Sequence, residues 1–355
     1  MGSSVLMSES QIYTYVKDNV TAAGIVMISI CRNEIRRLPL WLEHYRSLGV
    51  ECFVIVDNDS SDGSVEYLRS QKDVHCLSTK LSFRESNFGM MWVNEVRRAL
   101  PPDTWTLYVD LDEYLVYRGS PQRKVGDLVA SLGTRPNAVF GLMVDMYPRG
   151  PFLDAQTDSR LVETCCYFDA VYKFRKRPLK PWARGRAELE CLGGPRLRLI
   201  SSLEREARST WFDYFFRAQL GRVLNAAPPK WHRYIVEHFP PQPPGLNKTP
   251  FTLNSRDGVD IDYASPHGVF APVFAEETVA LLHFKFTADL KDKIDAEMLR
   301  KEHFRFGAEY IIYNKMLQDR RNLVLFSEGV SEKFESPASF DRLGFFSLTK
   351  HMNFS

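Results

Sequence analysis

The chain has 355 residues, of which 44% are hydrophobic and 25% charged, a globular composition with enough apolar residues for one large core or two modest ones. The formal net charge is +2, so there is no bulk attraction to nucleic acid. The longest apolar stretch, residues 22–31, is too short to cross a bilayer.

The first third of the chain alternates short apolar runs with amphipathic segments. An uninterrupted β-branched run predicts a buried strand at residues 24–31, and further strands are predicted at 50–56, also buried, 74–77 and 105–109. Helices are predicted between them: one from about Pro39 to Gly49, a short one carrying Val65 and Leu68, and one over 87–100. This alternation is typical of a mostly parallel sheet with helices on both faces, in which ligands bind at the carboxyl ends of the strands.

The rest of the chain is less regular. Residues 138–144 read as another strand ending in Asp145, residues 148–186 as irregular chain, and the Pro-rich stretch 240–250 as a loop. The run LLHFKF at 281–286 predicts a strand, followed by a helix after Thr287 and a second one over 308–318. The six cysteines lack zinc-type spacing, so we expect reduced thiols, mostly in the core.

Three carboxylates follow the fourth predicted strand within four residues: Asp110, Asp112 and Glu113. Asp110 and Asp112 lie two apart, so in an extended chain they project to the same side. Two oxygen ligands at the mouth of a sheet suit Mg²⁺ or Mn²⁺, with phosphate oxygens completing the shell. The alternative is a solvated acidic turn or a pair of caps for the following segment.

The turn VDNDSSDGS at 56–64 also ends a buried strand. Asp57 emerges where a nucleoside could sit, and its carboxylate can accept hydrogen bonds from a base or a ribose hydroxyl. Asp, Asn, Ser and Gly are also ordinary turn residues, so a simple connection between strand and helix explains the stretch equally well.

A third group of polar side chains comes from the LLHFKF run. In a strand, His283 and Lys285 share one face, which fits an imidazole for a metal ion and an ammonium for phosphate oxygens. A hydrogen-bonded core histidine and a solvated lysine are the alternative, and His267 competes with His283 for the ligand role.

Basic residues form two further candidate anion sites. Seven Lys or Arg residues lie between Lys173 and Arg186, where they could meet a diphosphate, an anionic glycan or a lipid surface, or could simply be solvated. Arg196 and Arg198 stand beside two glycines that permit close approach of a ligand, so we expect them to bind phosphate or an acidic sugar.

Taken in order, these motifs resemble the bacterial family-2-like glycosyltransferases of the GT-A fold. The resemblance rests on Asn33-Glu34 after the first strand, the Asp-rich turn after the second and Asp-x-Asp after the fourth. It continues with a Gly-Gly-x-Arg-x-Arg element at 193–198, the histidine-bearing run at 281–286 and, in the following helical region, Arg300, His303, Glu309 and Tyr310.

The resemblance implies an N-terminal extension (1–21), a GT-A domain (22–286) and a helical C-terminal region (287–355). Residues 22–120 would form the nucleotide-sugar half of that domain and 121–286 the acceptor half. It further implies a nucleotide-sugar donor, UDP-sugar favoured, and a divalent cation, Mn²⁺ or Mg²⁺. The nucleotide sugar would be bound by Asn33, Glu34, Asp57, Asp110, Lys285, Arg196 and Arg198, and the metal by Asp110, Asp112 and His283. Many family members have two adjacent aspartates where this chain has Asp57-Asn58.

For an inverting transfer, one carboxylate must deprotonate the acceptor hydroxyl. Glu190, Asp145 and Glu188 are the candidates, and family spacing favours Glu190. The resemblance suggests transfer to a glycan or glycolipid in bacterial surface polysaccharide synthesis by a cytoplasmic enzyme, with possible peripheral attachment to the inner face of the membrane. A nucleotidyltransferase and a non-catalytic nucleotide- or carbohydrate-binding protein remain the alternatives.

Overall fold

The computed structural model describes residues 7–21, 24–176, 189–203, 245–254, 261–270, 272–300, 302–303, 309–311, 313–314, 317–318 and 323–351. Its helices are α1 (Glu9–Asn19), α2 (Leu38–Ser47), α3 (Ser64–Ser70), α4 (Met90–Ala99), α5 (Val125–Ala130), α6 (Leu161–Thr164), α7 (Gly194–Leu203), α8 (Leu290–Arg300) and α9 (Pro337–Arg342). Its strands are β1 (Val26–Cys31), β2 (Cys52–Asp57), β3 (Val74–Ser78), β4 (Trp105–Tyr108), β5 (Glu113–Val116), β6 (Ala138–Asp145), β7 (Tyr167–Asp169), β8 (Tyr172–Lys176), β9 (Leu189–Gly193), β10 (Asn247–Leu253), β11 (Tyr263–Ser265), β12 (Gly268–Val269), β13 (Val279–His283) and β14 (Ser331–Lys333).

An eight-stranded sheet organises the molecule, in the order β3-β2-β1-β4-β10-β6-β13-β5. Strands β3, β2, β1 and β4 are mutually parallel, as are β6 and β13, whereas β10 and β5 run antiparallel to their neighbours. The predicted α/β class with a mostly parallel central sheet flanked by helices is confirmed. The four predicted strands of the first third are present, each within two residues of the expected bounds.

Alternating side chains of β1 divide the core into two layers. Met27 faces one side and packs in the cluster that contains Trp41 of α2. Val26 faces the other side and packs with Ile12 of α1 and Val93 of α4. Successive strand residues point to opposite faces, so the sheet has an apolar surface on both sides. Helix α2 covers one side, and α1 and α4 cover the other.

The prediction that residues 240–250 form a loop was wrong for the last four residues, which begin β10 in the middle of the sheet. A proline cannot donate to a strand ladder and is tolerated at irregular positions. Pro250 lies where the pairing of β10 with β6 shifts register, between Lys248 and Phe251. Gly141 on β6 makes room for the ring, since a Cβ there would lie 2.9 Å from Pro250 Cδ.

The predicted strand 281–286 ends earlier, at His283. The next amide, of Phe284, donates to the Asp112 carbonyl at 2.8 Å, in line with the register in which His283 pairs with Glu113. Lys285 therefore lies two residues beyond the end of β13.

The C-terminal region is helical only in part. Helix α8 confirms the helix predicted after Thr287, and the described residues among 309–318 are helical. Strand β14 pairs with β7, within the stretch 148–186 that the sequence indicated as irregular, and Phe340 of α9 packs in the main core. All six cysteines are free. None of the helices in the described ranges is long and apolar enough to span a membrane.

Candidate functional site

The charged residues of interest gather at one edge of the central sheet. Strand register places His283 directly opposite Asp145 on one side and Glu113 on the other. Asp57 ends β2, while Lys248 lies near the start of the antiparallel β10, which brings it to the same edge. The carboxyl ends of the parallel strands and the starts of β10 and β5 thus converge, as expected for a ligand site in an open α/β sheet.

A buried lysine lies among the carboxylates that follow β4. The Lys248 ammonium, with no exposed surface, contacts Asp110 Oδ2 at 2.7 Å and both Glu113 carboxylate oxygens at 2.6 Å. Tyr108 donates a hydrogen bond to Asp110 Oδ1 at 3.1 Å. Burial raises the pKa of Glu113 to about 7, with Lys248 opposing and Asp110 reinforcing this shift. Burial lowers the pKa of Lys248, but its two carboxylate partners outweigh that effect and raise it.

His283 bridges two further carboxylates. Its Nδ1 donates to Asp145 Oδ1 at 2.6 Å, and its Nε2 lies 3.5 Å from Asp112 Oδ2. Burial lowers the pKa of the imidazole, yet the two carboxylates outweigh burial and raise it to about 9. The histidine in turn holds the pKa of Asp112 well below its usual range, although burial acts in the opposite direction.

Asp145 is committed to internal partners. It is fully buried and accepts two hydrogen bonds from Arg196, at 2.7 and 2.9 Å, besides the one from His283. Gly194 makes room for this carboxylate: its φ is +68°, and a Cβ there would lie 3.3 Å from Asp145 Oδ2. Burial raises the pKa of Asp145, but Arg196 and His283 outweigh it and lower the pKa. A carboxylate so engaged is a weak proton acceptor.

The two arginines of the Gly-Gly-x-Arg-x-Arg element both pair with protein carboxylates. Arg196 also reaches Glu309 at 3.4 Å. Arg198 forms a fork on Asp169 at 2.7 and 2.9 Å and donates to the Leu325 carbonyl. These contacts tie α7 to β6, to β7 and to the C-terminal region.

Asp57 and Asn33 shape the loops after β2 and β1. Asp57 is 1% exposed; its Oδ2 accepts from the Ser60 amide at 3.2 Å, and its Oδ1 has no hydrogen-bond partner among the described residues. Burial raises the pKa of Asp57. Asn33, in the left-handed region with φ of 54°, accepts from the Ser61 amide at 2.8 Å and so fixes the loop.

Glu34 belongs to an ion-pair network around Arg37. Arg37 is 1% exposed and forms a fork on Asp289, with further bonds to the Phe284 carbonyl and the Thr287 hydroxyl. Glu34 lies 3.3 Å from Arg37 and 2.7 Å from Lys293. The network joins the loop after β1 to the start of α8.

The other predicted site residues are placed as follows. Lys285 pairs with Glu309 at 3.2 Å, and the partly buried His267 lies with Nδ1 3.3 Å from the Asn247 carbonyl oxygen. Glu190 is buried at the start of β9. Glu188 and residues 177–186 of the basic stretch lie outside the described residues.

The donor set permits a divalent ion with few protein ligands. Because His283 Nδ1 donates to Asp145, Nε2 is the nitrogen left to face a metal, an arrangement typical of metal-binding histidines. Asp112 and His283 therefore offer two donors, whereas Asp110 is shared with Lys248. In the part of the chain that the structure describes, no three His, Cys, Asp or Glu side chains form a metal-binding group. The pair fits an ion that takes its remaining ligands from water and a bound phosphate.

Two residues central to the site were missed by the sequence analysis. Lys248 stands in a Pro-rich stretch with no periodicity, and Arg37 is one of two adjacent arginines at a helix start. Only the excess of carboxylates at the ends of the strands indicated that buried cations were needed.

No protein-family model and no curated protein matches this chain. Among solved structures, it shows a likeness to HddC from Yersinia pseudotuberculosis, with 9% sequence identity and a TM-score of 0.24. The match covers 36% of this chain and 63% of that one. A likeness this slight assigns neither fold family nor activity.

Proposed function

We propose that this protein is a metal-dependent glycosyltransferase of the GT-A type, which moves a sugar from a nucleoside-diphosphate sugar to an acceptor hydroxyl. The observation that carries the proposal is the placement of His283, held by Asp145 and facing Asp112 at the carboxyl edge of the sheet. A carboxylate and an oriented imidazole at that edge suit an ion bound to a diphosphate.

Asp57 supports a nucleoside at the same edge. A buried carboxylate oxygen without a partner is costly unless a ligand donates to it. A base N–H or a ribose hydroxyl would supply that bond. The Asp110 side chain is 44% exposed and Lys248 holds its carboxylate in place, so we assign it to the ribose.

Asp112 and His283 would hold Mn²⁺ or Mg²⁺, which would supply positive charge for the departing nucleoside diphosphate. The acceptor hydroxyl needs a separate base. Asp145 is a poor choice because Arg196 and His283 occupy it. We therefore propose Glu190 as the base of an inverting transfer.

The donor and acceptor classes follow from the resemblance of the motifs alone. We propose a UDP-sugar as donor and a glycan or glycolipid of a bacterial surface polysaccharide as acceptor. The enzyme would work in the cytoplasm, where nucleotide sugars are made, with peripheral attachment to the inner face of the membrane as one arrangement.

The direct test is turnover. Purified protein is incubated with UDP-glucose, UDP-galactose and UDP-N-acetylglucosamine in Mn²⁺, and slow release of UDP is followed with and without candidate acceptors. Asp112→Asn and His283→Gln should abolish release, while Asp341→Asn, which breaks a surface pair with Arg118, should not. Binding of nucleotide without any release would favour a non-catalytic binding protein. Release of sugar 1-phosphate with transfer of the UMP group, in place of release of UDP, would favour a nucleotidyltransferase.

A further inference from the structure

Two arginines meet on one residue at the β1–β2 end of the site. Arg32 directly follows β1 and donates from Nη1 to the Asn58 carbonyl. Arg300, the last residue of α8, donates from Nη2 to Asn58 Oδ1 at 2.5 Å. Both acceptors are neutral. Within the described ranges, neither guanidinium lies within salt-bridge distance of a carboxylate.

The acidic residues near Arg300 are engaged elsewhere. Asp59 pairs with Lys80 at 3.2 Å. Glu302 accepts hydrogen bonds from the loop after β3 at 2.8 and 2.9 Å, and Glu297 pairs with a neighbouring histidine at 2.6 Å. Each of these three carboxylates lies close enough to act on Arg300 but has another partner, and the groups that the two arginines bond directly are neutral.

Placing two guanidiniums together is unfavourable. Burial lowers the pKa of Arg300, and the like charge of Arg32 lowers it further. The helix dipole explains a basic residue at the end of α8, but not why a second arginine meets it. Two partly exposed guanidinium forks with spare N–H donors are complementary to a phosphate group.

Asp57 identifies the ligand more closely. It precedes Asn58, it is 1% exposed, and its Oδ1 lacks a partner in the described chain. Arg32 lies near enough to influence the Asp57 carboxylate without bonding to it. A molecule that satisfies all these groups must carry a hydrogen-bond donor and an anion close together, as a nucleotide does.

We propose that Arg32 and Arg300 form a phosphate clamp for the donor nucleotide, beside Asp57, in addition to the ion that Asp112 and His283 would hold. The assignment rests on the proposed nucleotide-sugar function. Because Arg300 ends α8, the clamp also couples the C-terminal region to nucleotide binding.

The test compares Arg32→Gln and Arg300→Gln with wild type, since glutamine keeps an N–H donor for Asn58 but removes the charge. Arg46→Gln is the control, because Arg46 pairs with Asp73 on the surface, away from the carboxyl edge of the sheet. Affinities for inorganic pyrophosphate, UDP, GDP and the matching nucleosides are measured by calorimetry. Each clamp variant should lose about 10- to 100-fold in affinity for phosphate-bearing ligands and little for nucleosides. Arg300→Lys should recover part of the loss.

The stability of the unliganded protein distinguishes a phosphate-binding role of Arg32 and Arg300 from a purely structural role. The clamp predicts that both glutamine variants unfold at the temperature of wild type or above it, because repulsion is relieved. Lowered unliganded stability with unchanged phosphate affinity would overturn the proposal, as would wild type that binds neither pyrophosphate nor nucleotide. If nucleoside diphosphates bind wild type and both variants equally, the clamp is refuted and the proposed function stands. If pyrophosphate binding depends on both arginines but no nucleotide binds, the anion site stands and the proposed function fails.

Discussion

Replacing Lys248 by methionine removes the cation that Asp110 and Glu113 share while keeping most of the side-chain volume. Glu113 is 1% exposed, so its carboxylate cannot turn to water once the ammonium is gone. Removing one partner of a buried ion pair costs about 3–5 kcal/mol. We expect Lys248→Met to lower the free energy of unfolding by that amount.

The corresponding change in melting temperature follows from chain length. Unfolding entropy is about 2.1 cal/mol/K per residue, which gives roughly 0.75 kcal/mol/K for a chain of 355 residues. The variant should therefore melt about 4–7 °C below wild type in calorimetry, with a matching loss in urea titration.

A second substitution tests the cause. In Lys248→Met/Glu113→Gln the buried charge is gone, so at least half of the lost stability should return. A loss below about 1 kcal/mol in Lys248→Met, or no recovery in the double variant, would refute the assignment of Lys248 as the counterion of these carboxylates.

Three further predictions concern other parts of the site and core. Arg37→Met should cost about 3–5 kcal/mol in urea unfolding because it leaves Asp289 buried without its fork; a loss equal to that of a surface arginine would contradict this. Gly194→Ala should cost about 1–2 kcal/mol and weaken Mn²⁺ binding, measured by electron paramagnetic resonance, because the new Cβ strains a backbone with φ of +68° and crowds Asp145; unchanged stability and Mn²⁺ affinity would contradict this. Burial lowers the pKa of His44 to about 4, so on acidification this histidine is protonated in the unfolded chain before it is protonated in the folded protein. The free energy of unfolding of wild type should therefore fall by up to about 3 kcal/mol between pH 6.5 and 4. His44→Gln should lose less over that range in urea titrations at each pH, and an identical pH dependence would contradict the assignment.

The sequence was most informative where local pattern and burial coincide. Strands β1 and β2 are apolar runs rich in β-branched residues and largely buried on both faces, and β3 and β4 continue the strand–helix alternation, so the position and parallel arrangement of all four could be predicted. The same pattern placed Asp57, Asp112 and Asp145 at or just after strand ends and His283 within a strand, and strand order brings the last three together.

Contacts between distant segments could not be predicted in this way. Lys248 reaches the acidic cluster because β10 inserts antiparallel between β4 and β6. The local sequence around Lys248, which includes Pro250, instead indicated a loop. Arg196 was expected to bind phosphate, yet its guanidinium donates two hydrogen bonds to Asp145, the last residue of β6. The LLHFKF run was expected to be a strand to residue 286, yet β13 ends at His283 and Lys285 pairs with Glu309 beyond it. In each case a tertiary contact determined the outcome.

The most direct test of the central claim is thermal unfolding against UDP-, GDP-, CMP- and dTDP-sugars, each with Mn²⁺ and with EDTA. A ligand at about 100 times its Kd adds roughly 2.7 kcal/mol, a shift of a few degrees for a chain of this size. We predict stabilisation by one nucleotide class, lost in EDTA and in Asp112→Asn. Stabilisation by none of them, or stabilisation that survives both EDTA and Asp112→Asn, would contradict a metal-dependent nucleotide-sugar site at this edge of the sheet.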